Sequence, residues 1–473
     1  MDTTVDLGRR LVQMFWDPEP TNDVVRDQPV WCLGSCYRLN NNPSTKPEPS
    51  PGPEASSKEP VVPRATNLPE TPPESTSSSL DSSLAYEEAP LDGGWPPAFL
   101  DDFESRIWMT YRSEFEPIAK SQDPKAVSAL SFSMRLKSQL SEQNGFSSDS
   151  GWGCMIRSGQ SLLANAMVSQ RLGRGWRRGA QVREEKEILS LFADDPRAPY
   201  SIHNFVRHGA TACGKYPGEW FGPSATARCI QALTNANEPS LRVYSTGDGP
   251  DVYEDNFMKI ARPDGTTFHP TLVLVGTRLG IDKITPVYWE ALVASLQMPQ
   301  SIGIAGGRPS SSHYFIGVQG FYFFYLDPHC TRPALPYHEN TGEYSQEEID
   351  TCHTRKLRRI HIREMDPSML IGFLIRDEED WKDWRRGVKH VQGKAIIHVS
   401  DHDPVAQLSE HGGAIDQVEP LSDDDDEDKI TVSDEYQVRP AAKFGHTVEI
   451  IAFVKRPDKT RSGVQNVFPR HNS

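Results

Sequence analysis

Apolar and polar positions along this chain follow two different periods, and the boundaries between them outline its elements. From Met155 onward Ile156, Leu162, Leu163, Ala166 and Met167 return at helical spacings, which predicts a helix starting where Ser147-Ser148-Asp149-Ser150-Gly151-Trp152-Gly153 ends. Phe99 to Phe115 carries Phe103, Ile107, Trp108, Tyr111 and Phe115 at similar spacing and predicts a second helix, its apolar residues in the core. Further helices are predicted over Glu184 to Phe192, from Ser224 as N-cap, and over Pro286 to Leu296. Continuous apolar runs predict strands at Thr271 to Val275 and Ile396 to Val399, and strand character returns at Thr447 to Val454.

The strongest strand signal lies later. Ser312-His313-Tyr314-Phe315-Ile316-Gly317 and Phe321-Tyr322-Phe323-Phe324-Tyr325-Leu326 flank Gln319-Gly320, so aromatic and β-branched residues face each other across a turn. This predicts a β-hairpin with Asp327 and His329 at the exit of its second strand. Pro328 has no N–H to give a ladder, so that point is a strand end or an edge. Just upstream, Ser301 to Ala305 leads into Gly306-Gly307-Arg308-Pro309-Ser310, a loop that its glycines allow to swing.

Two stretches carry neither period. Asn41 to Pro90 holds eleven prolines and ten serines with few apolar residues, and cannot bury enough surface to offset its ordering entropy. It is predicted to be a disordered insertion open to phosphorylation and dispensable for chemistry. Ser409 to Tyr436 contains eleven acidic residues and one lysine, Lys429, so about ten of the chain's fifteen net negative charges sit there. That run is predicted to be solvated, which leaves the folded remainder only mildly acidic. The predicted order is a segment at residues 1–40 whose Leu11, Val12, Met14, Phe15 and Trp16 suit docking on a core, the insertion at 41–94, the main domain at 95–400, the acidic segment at 401–436, and a strand and tail at 437–473.

The charge of −15 over 473 residues argues against a chain held broadly on nucleic acid or anionic lipid. Arg171 to Arg178, with four arginines around Trp176, is then a solvated face. Seven cysteines at scattered spacings do not form a disulfide framework, and Cys32 and Cys36 have no second Cys/His pair at zinc-site spacing. Asp401-His402-Asp403 offers a metal only one imidazole, so no metal site is predicted. There is no apolar signal core and no membrane-length run, which predicts a soluble cytoplasmic protein.

Chemistry converges on one cysteine. Cys154 stands at a predicted helix N-terminus, where unpaired N–H groups and the helix dipole favour the thiolate, the nucleophilic form. Taken alone, the segment fits a buried structural cysteine equally well. A nucleophile needs a base, and Asp327 and His329, two apart in an extended chain, point to the same side. Asp327 would hold one tautomer of His329 while the other ring nitrogen faces the thiol. His313 is a rival base with no acidic neighbour in sequence.

Ser-Asp-Ser-Gly-Trp-Gly-Cys-Met-Ile-Arg-Ser-Gly-Gln at 148–160, and His-Tyr-Phe-Ile-Gly followed by Tyr-Leu-Asp-Pro-His at 313–329, resemble the autophagins, the autophagy-related protein 4 cysteine peptidases. The resemblance spans about Trp95 to Asp380, and extends to Trp31-Cys32-Leu33-Gly34 before the core and to Met369-Leu370-Ile371-Gly372-Phe373 late in it. It implies an α+β, papain-like core with a small auxiliary subdomain, Cys154 as nucleophile, His329 as base and Asp327 as its orienter. It implies that the Tyr111 hydroxyl joins the Cys154 N–H in holding the oxyanion, that Trp220 and Pro309 face each other over the substrate groove on a loop and a regulatory loop, and that Asp123 to Asn144 is an insertion loop.

No cofactor is implied. The implied substrate is the ubiquitin-like autophagy modifier of the autophagy-related protein 8 type, cut after its C-terminal glycine both as a precursor and as the phosphatidylethanolamine conjugate. This would bring transient contact with autophagic membranes, and a cytoplasmic enzyme at autophagosome assembly sites, with the nucleus as a further compartment. Two alternatives stay open: another cysteine hydrolase on the same fold, such as a deubiquitinase or a transglutaminase-like enzyme, and a non-catalytic adaptor in which Cys154 is structural.

Overall fold

The computed structural model describes residues 19–39, 92–140, 145–308 and 311–404. The apolar residues Leu11 to Trp16, the proline- and serine-rich stretch, Pro309, the acidic run and the strand expected at Thr447 to Val454 lie outside the described residues.

In chain order the strands are β1 (Val30–Cys32), β2 (Ser35–Tyr37), β3 (Arg112–Ala119), β4 (Gly145–Ser148), β5 (Arg242–Ser245), β6 (Asp251–Tyr253), β7 (Thr271–Arg278), β8 (Ser301–Arg308), β9 (Ser311–Gln319), β10 (Tyr322–Leu326), β11 (Arg332–Pro333), β12 (Arg359–His361), β13 (Ser368–Ile375) and β14 (His398–Ser400). Most belong to one sheet in the order β12-β10-β9-β8-β13-β7-β5, antiparallel except where β5 runs parallel to β7. The hairpin of β1 and β2 joins it through β1, which pairs Trp31 with Val318 and Cys32 with Gly317 of β9. Helices cover both faces, giving an α+β fold of the papain-like kind.

β13 shows how one sequence builds two cores. Leu370 and Leu374 pack with the buried side chains of the helix Cys154–Arg171 on one face. Met369, Ile371, Phe373 and Ile375 alternate to the other face, among residues of the helices Glu254–Ala261, Trp289–Gln297 and Glu378–Lys389. A strand buried on both sides reads as a continuous apolar run, as Met369 to Phe373 does but for Gly372. The Cys154–Arg171 helix is buried over Cys154 to Ser169, so it is a central element with the sheet on one side and further helices around it.

The predicted hairpin is present as β9 and β10, with Tyr322 opposite Gln319. Several other boundaries differ from expectation, each for a local reason. The helix expected over Phe99 to Phe115 ends at Glu104. Beyond it the chain runs extended along the central helix: Asn165 takes the Ile107 N–H at 3.0 Å and returns its amide to the Ile107 carbonyl at 2.9 Å, and the Ser161 hydroxyl takes the Met109 N–H at 2.9 Å. These side chains replace the i−4 carbonyls, and the apolar spacing is used in an extended chain instead.

Asp123 to Asn144 is not simply a loop. Asp123 accepts the Lys125 N–H at 2.8 Å, Pro124 fills the first helical position, and helices run over Pro124–Ala129 and Phe132–Leu140. The cap of the helix Pro223–Asn237 is Gly222 rather than Ser224, because Pro223 already takes the first position and the Ser224 hydroxyl turns to Asp248. The arginines after the central helix are not a solvated face: Arg174 and Arg177 pair with the buried carboxylate of Asp102, Arg178 with Glu104 and Asp350, and Arg171 with Glu238. Gly306, Gly307 and Arg308, expected in a loop, belong to β8 and pair with β9 through Gly306–His313, Gly307–Ser312 and Arg308–Ser311.

Candidate active site

The turn before the central helix is shaped around Asp149. Its carbonyl accepts the N–H groups of Trp152 at 3.1 Å and Gly153 at 2.8 Å, while its carboxylate accepts the Arg112 N–H at 2.6 Å and Arg157 Nε at 2.7 Å. Arg157 reaches on to Asp194 at 2.7 Å, and all three charged side chains are buried. Gly151 turns the chain at φ +95°, and Gly153 caps the helix where any Cβ would lie within 2.7 Å of the Asp149 Cβ. Only a residue without a side chain lets the helix start so close to that carboxylate. Cys154 is therefore the first helical residue, 1% exposed, its N–H among those with no intrahelical acceptor.

The second half comes from the hairpin. After β10, Trp108 Nε1 donates to the Asp327 carbonyl at 2.8 Å, Tyr111 N to the Pro328 carbonyl at 2.8 Å and the Thr110 hydroxyl to the same carbonyl at 2.7 Å. The extended chain before β3 thus clamps residues 327 and 328. Asp327 Oδ1 lies 2.6 Å from His329 Nδ1 and also accepts the His329 N–H at 3.0 Å, so the imidazole presents Nε2 outward. The Tyr111 ring meets the His329 ring edge-on at 5.3 Å between centroids.

These elements bring Cys154, His329, Asp327 and Tyr111 together. Burial pushes the Cys154 thiol up, but hydrogen bonding and attraction from His329, the Ser312 N–H and the Tyr111 hydroxyl outweigh it and hold the thiol below its ordinary value. Burial opposes the charge on His329, yet Asp327 and the thiol raise it to about 9. Asp327 is held well below the usual carboxylate range, burial being overcome by its bond to His329 and the nearby His313. The Tyr111 phenol is pushed far up, by burial first and the neighbouring thiol second, so it stays a neutral donor. Both shifts run in the direction that favours a thiolate–imidazolium pair.

Trp220 is 38% exposed and, with Met155, Pro223, Gly306, Gly307, Ser312, Asp366 and Ser368, borders a small cavity of about 40 Å³ that Cys154 itself does not line. Its expected companion Pro309 lies outside the described residues. His313, the rival base, is buried on β9 with Nε2 3.7 Å from Asp327 Oδ1, behind the carboxylate rather than beside the thiol. His313, Asp327 and His329 have donor atoms within 4.8 Å of one another, close enough for a metal, but the 2.6 Å Asp327–His329 bond already joins two of them. Asp401 pairs with Arg385, and His402 lies 3.9 Å from Asp255.

A model of the peptidase C54 catalytic domain matches residues 96–387. The chain belongs to the peptidase C54 family, the autophagins. It is similar to the probable cysteine protease ATG4 of Cryphonectria parasitica, 66% identical over 432 residues that cover 88% of this chain and 94% of the relative. The cysteine protease ATG4 of Gibberella zeae is 65% identical over 455 residues, covering 89% and 97%. That of Pyricularia oryzae is 60% identical over 470 residues, covering 88% and 96%. As a C54 member the chain is a cysteine peptidase, a hydrolase of the thiol class.

The family motifs name some of this site's parts and pass over others. Asp149 stands inside the motif around the cysteine, but its partner Arg112 lies 37 residues before it, and Asp194, the second carboxylate on Arg157, lies 45 after it in sequence. Trp108 and Thr110 act through carbonyls, which no residue pattern announces. Ser311 places its hydroxyl 3.3 Å from His329 Nε2, and Ser312 directs its N–H to the thiol while its hydroxyl lies 3.0 Å from Ser158. The run of three serines at 310–312, leading into an aromatic strand, is the sequence signal at these positions.

Proposed function

We propose that this peptidase cleaves after the C-terminal glycine of a ubiquitin-like autophagy modifier of the autophagy-related protein 8 type, maturing its precursor and releasing it from phosphatidylethanolamine. The observation that carries this reading is a buried thiol at a helix N-terminus, hydrogen-bonded to an imidazole that a carboxylate holds at 2.6 Å, in a chain of the peptidase C54 family. The resemblance to the autophagins implies a groove under Trp220 that takes an extended glycine tail, so selectivity falls to contacts with the folded body of the modifier. A modifier with a flexible C-terminal tail meets both requirements.

In this mechanism the Cys154 thiolate attacks the glycine carbonyl carbon, and the carbonyl π electrons move onto oxygen. The Cys154 N–H and the Tyr111 hydroxyl hold that oxyanion. His329, protonated and oriented by Asp327, gives its proton to the leaving amine as the C–N bond breaks and a thioester remains. Neutral His329 then takes a proton from water, which attacks the thioester and frees the modifier with its glycine carboxylate. The leaving amine is a peptide nitrogen in the precursor and the ethanolamine nitrogen in the lipid conjugate, so one chemistry serves both. Such an enzyme works in the cytoplasm and meets membranes through its lipid-bearing substrate.

The test is incubation, under reducing conditions at pH 7, with a modifier precursor that carries residues beyond its glycine, and in parallel with a ubiquitin precursor. Wild type should cut the modifier after the glycine and leave ubiquitin intact, and Cys154→Ser and His329→Ala should cut neither. Equal cleavage of both precursors would point to a general deubiquitinase, and full activity of Cys154→Ser would remove the nucleophile from the reading.

A further inference from the structure

Asp327 is flanked by two imidazoles, and the reaction as written uses one. His313 Nε2 approaches the same oxygen, Oδ1, that binds His329 Nδ1, at 3.7 Å against 2.6 Å. The two rings stand 5.2 Å apart between centroids. The Asp327 side chain is 36% exposed and hangs at the end of β10, whereas the His313 side chain is 9% exposed and sits in the middle of a pairing with Gly306. A partly exposed carboxylate thus rests against a buried ring.

That ring is itself fixed on every side. Tyr325 of β10 meets the His313 ring edge-on at 4.5 Å, Phe315 lies along β9 at 6.2 Å, and a Cβ on Gly307 would come within 2.9 Å of His313 Nδ1, so β8 closes the far side. The groups that face His313 are Asp327, His329, Tyr325 and the Gly307 backbone. Those facing His329 are Asp327, Cys154, Tyr111, Ser311 and His313.

We propose that His313 is a positioning residue: its Nε2–H side holds the Asp327 carboxylate in the rotamer that accepts His329 Nδ1–H, and so keeps the base aimed at Cys154. Without it the carboxylate swings toward water, the His329 bond lengthens, and the imidazolium loses its counter-charge. A simple space-filling role and a purely electrostatic one predict something different. Filler leaves the titration of His329 unchanged, and removal of a nearby like charge raises it, because only loss of the Asp327 bond lowers it.

This inference rests on the Cys154–His329–Asp327 reading, and His329→Ala tests that reading separately. The experiment compares wild type, His313→Leu, which has no donor, and His313→Gln, whose amide can donate to the same carboxylate. For each, the rate of Cys154 alkylation by iodoacetate, an anion that the imidazolium draws in, is followed against pH without substrate, and precursor cleavage gives kcat and KM. In wild type the alkaline limb should follow His329, whose pKa burial lowers but Asp327 and the thiol raise to about 9. In His313→Leu it should fall by about one pH unit, with kcat down about ten- to a hundredfold and KM little changed. His313→Gln should restore kcat to within about threefold of wild type and the limb to near its place.

An unmoved or raised limb in His313→Leu would overturn the proposal. If His313→Leu fails to fold, His313→Gln decides alone: a folded protein whose kcat has dropped a hundredfold overturns it, and near-wild-type behaviour supports it. If His329→Ala retains alkylation and cleavage, the triad reading fails first.

Discussion

Replacing Asp149 by asparagine removes one negative charge and keeps the shape of the side chain. The amide oxygen still accepts the Arg112 N–H, now at 2.6 Å, but the amide nitrogen faces Arg157 Nε, a donor that sits 2.7 Å from the carboxylate oxygen. Arg157 is 1% exposed and is left with Asp194 as its remaining counter-charge. Breaking one partner of a buried ion pair costs about 3–5 kcal/mol, because the other charge stays buried. In a folded unit of this size each kcal/mol lowers the melting temperature by about 2 °C, so a drop of about 6–10 °C is expected.

The assay is calorimetric melting at pH 7, with Asp195→Asn as control. Asp195 binds Arg197 at the surface at 2.7 Å, and that change should move melting by about 1 °C or less. Because the same carboxylate ties the turn before Cys154 to the strand after Tyr111, kcat for Asp149→Asn should also fall while KM changes little. Melting within 2 °C of wild type would refute the idea that this buried cluster supports the turn.

Gly153→Ala should lower kcat about a hundredfold with Cys154 still present, since the new methyl displaces either Asp149 or the start of the central helix; an active variant would show that the turn yields at little cost. Alkylation of Cys154 by anionic iodoacetate should rise with pH below the ordinary thiol value of 9.0 and fall again near pH 9, as His329 loses the positive charge that draws the reagent in; a single rise centred at 9.0 would deny the ion pair. Asp102, held at about 2 by arginines that outweigh its burial, has a folded value below the unfolded 3.8. Its contribution of about 2 kcal/mol is therefore present above pH 4 and lost toward pH 2, so urea midpoints of wild type and Asp102→Asn should converge in that window. A gap that does not narrow would count against it. Trp220→Ala should raise KM for the modifier precursor and relax the requirement for glycine, measured with tails ending in alanine; unchanged selectivity would take Trp220 out of the groove.

What the sequence made legible followed how local each signal is. The hairpin at Ser311–Leu326 and the helix starting at Cys154 are specified within a dozen residues by period and turn chemistry, and both appear as expected. Phe99 to Phe115 misled because an apolar period is blind to competition: Asn165 and Ser161, more than fifty residues away, supply hydrogen bonds that make an extended path as good as a helical one. Arg174 and Arg177 read as solvated because their partner Asp102 lies about seventy residues upstream. At the site, Asp327 and His329 were visible as neighbours in sequence. His313 was visible only as a competitor, since its closeness to Asp327 depends on the register of β9 against β10, where Leu326 pairs with Tyr314.

The most direct test of the account is to trap the intermediate. A ubiquitin-like autophagy modifier whose terminal glycine carboxylate is replaced by a vinyl sulfone presents an electrophile where the scissile carbonyl would lie. Incubated with the enzyme and digested for mass spectrometry, it should yield one adduct per chain, on Cys154, which His329→Ala slows and Cys154→Ala abolishes. An adduct on Cys330 or Cys36, the exposed thiols, or the same yield from Cys154→Ala, would contradict it.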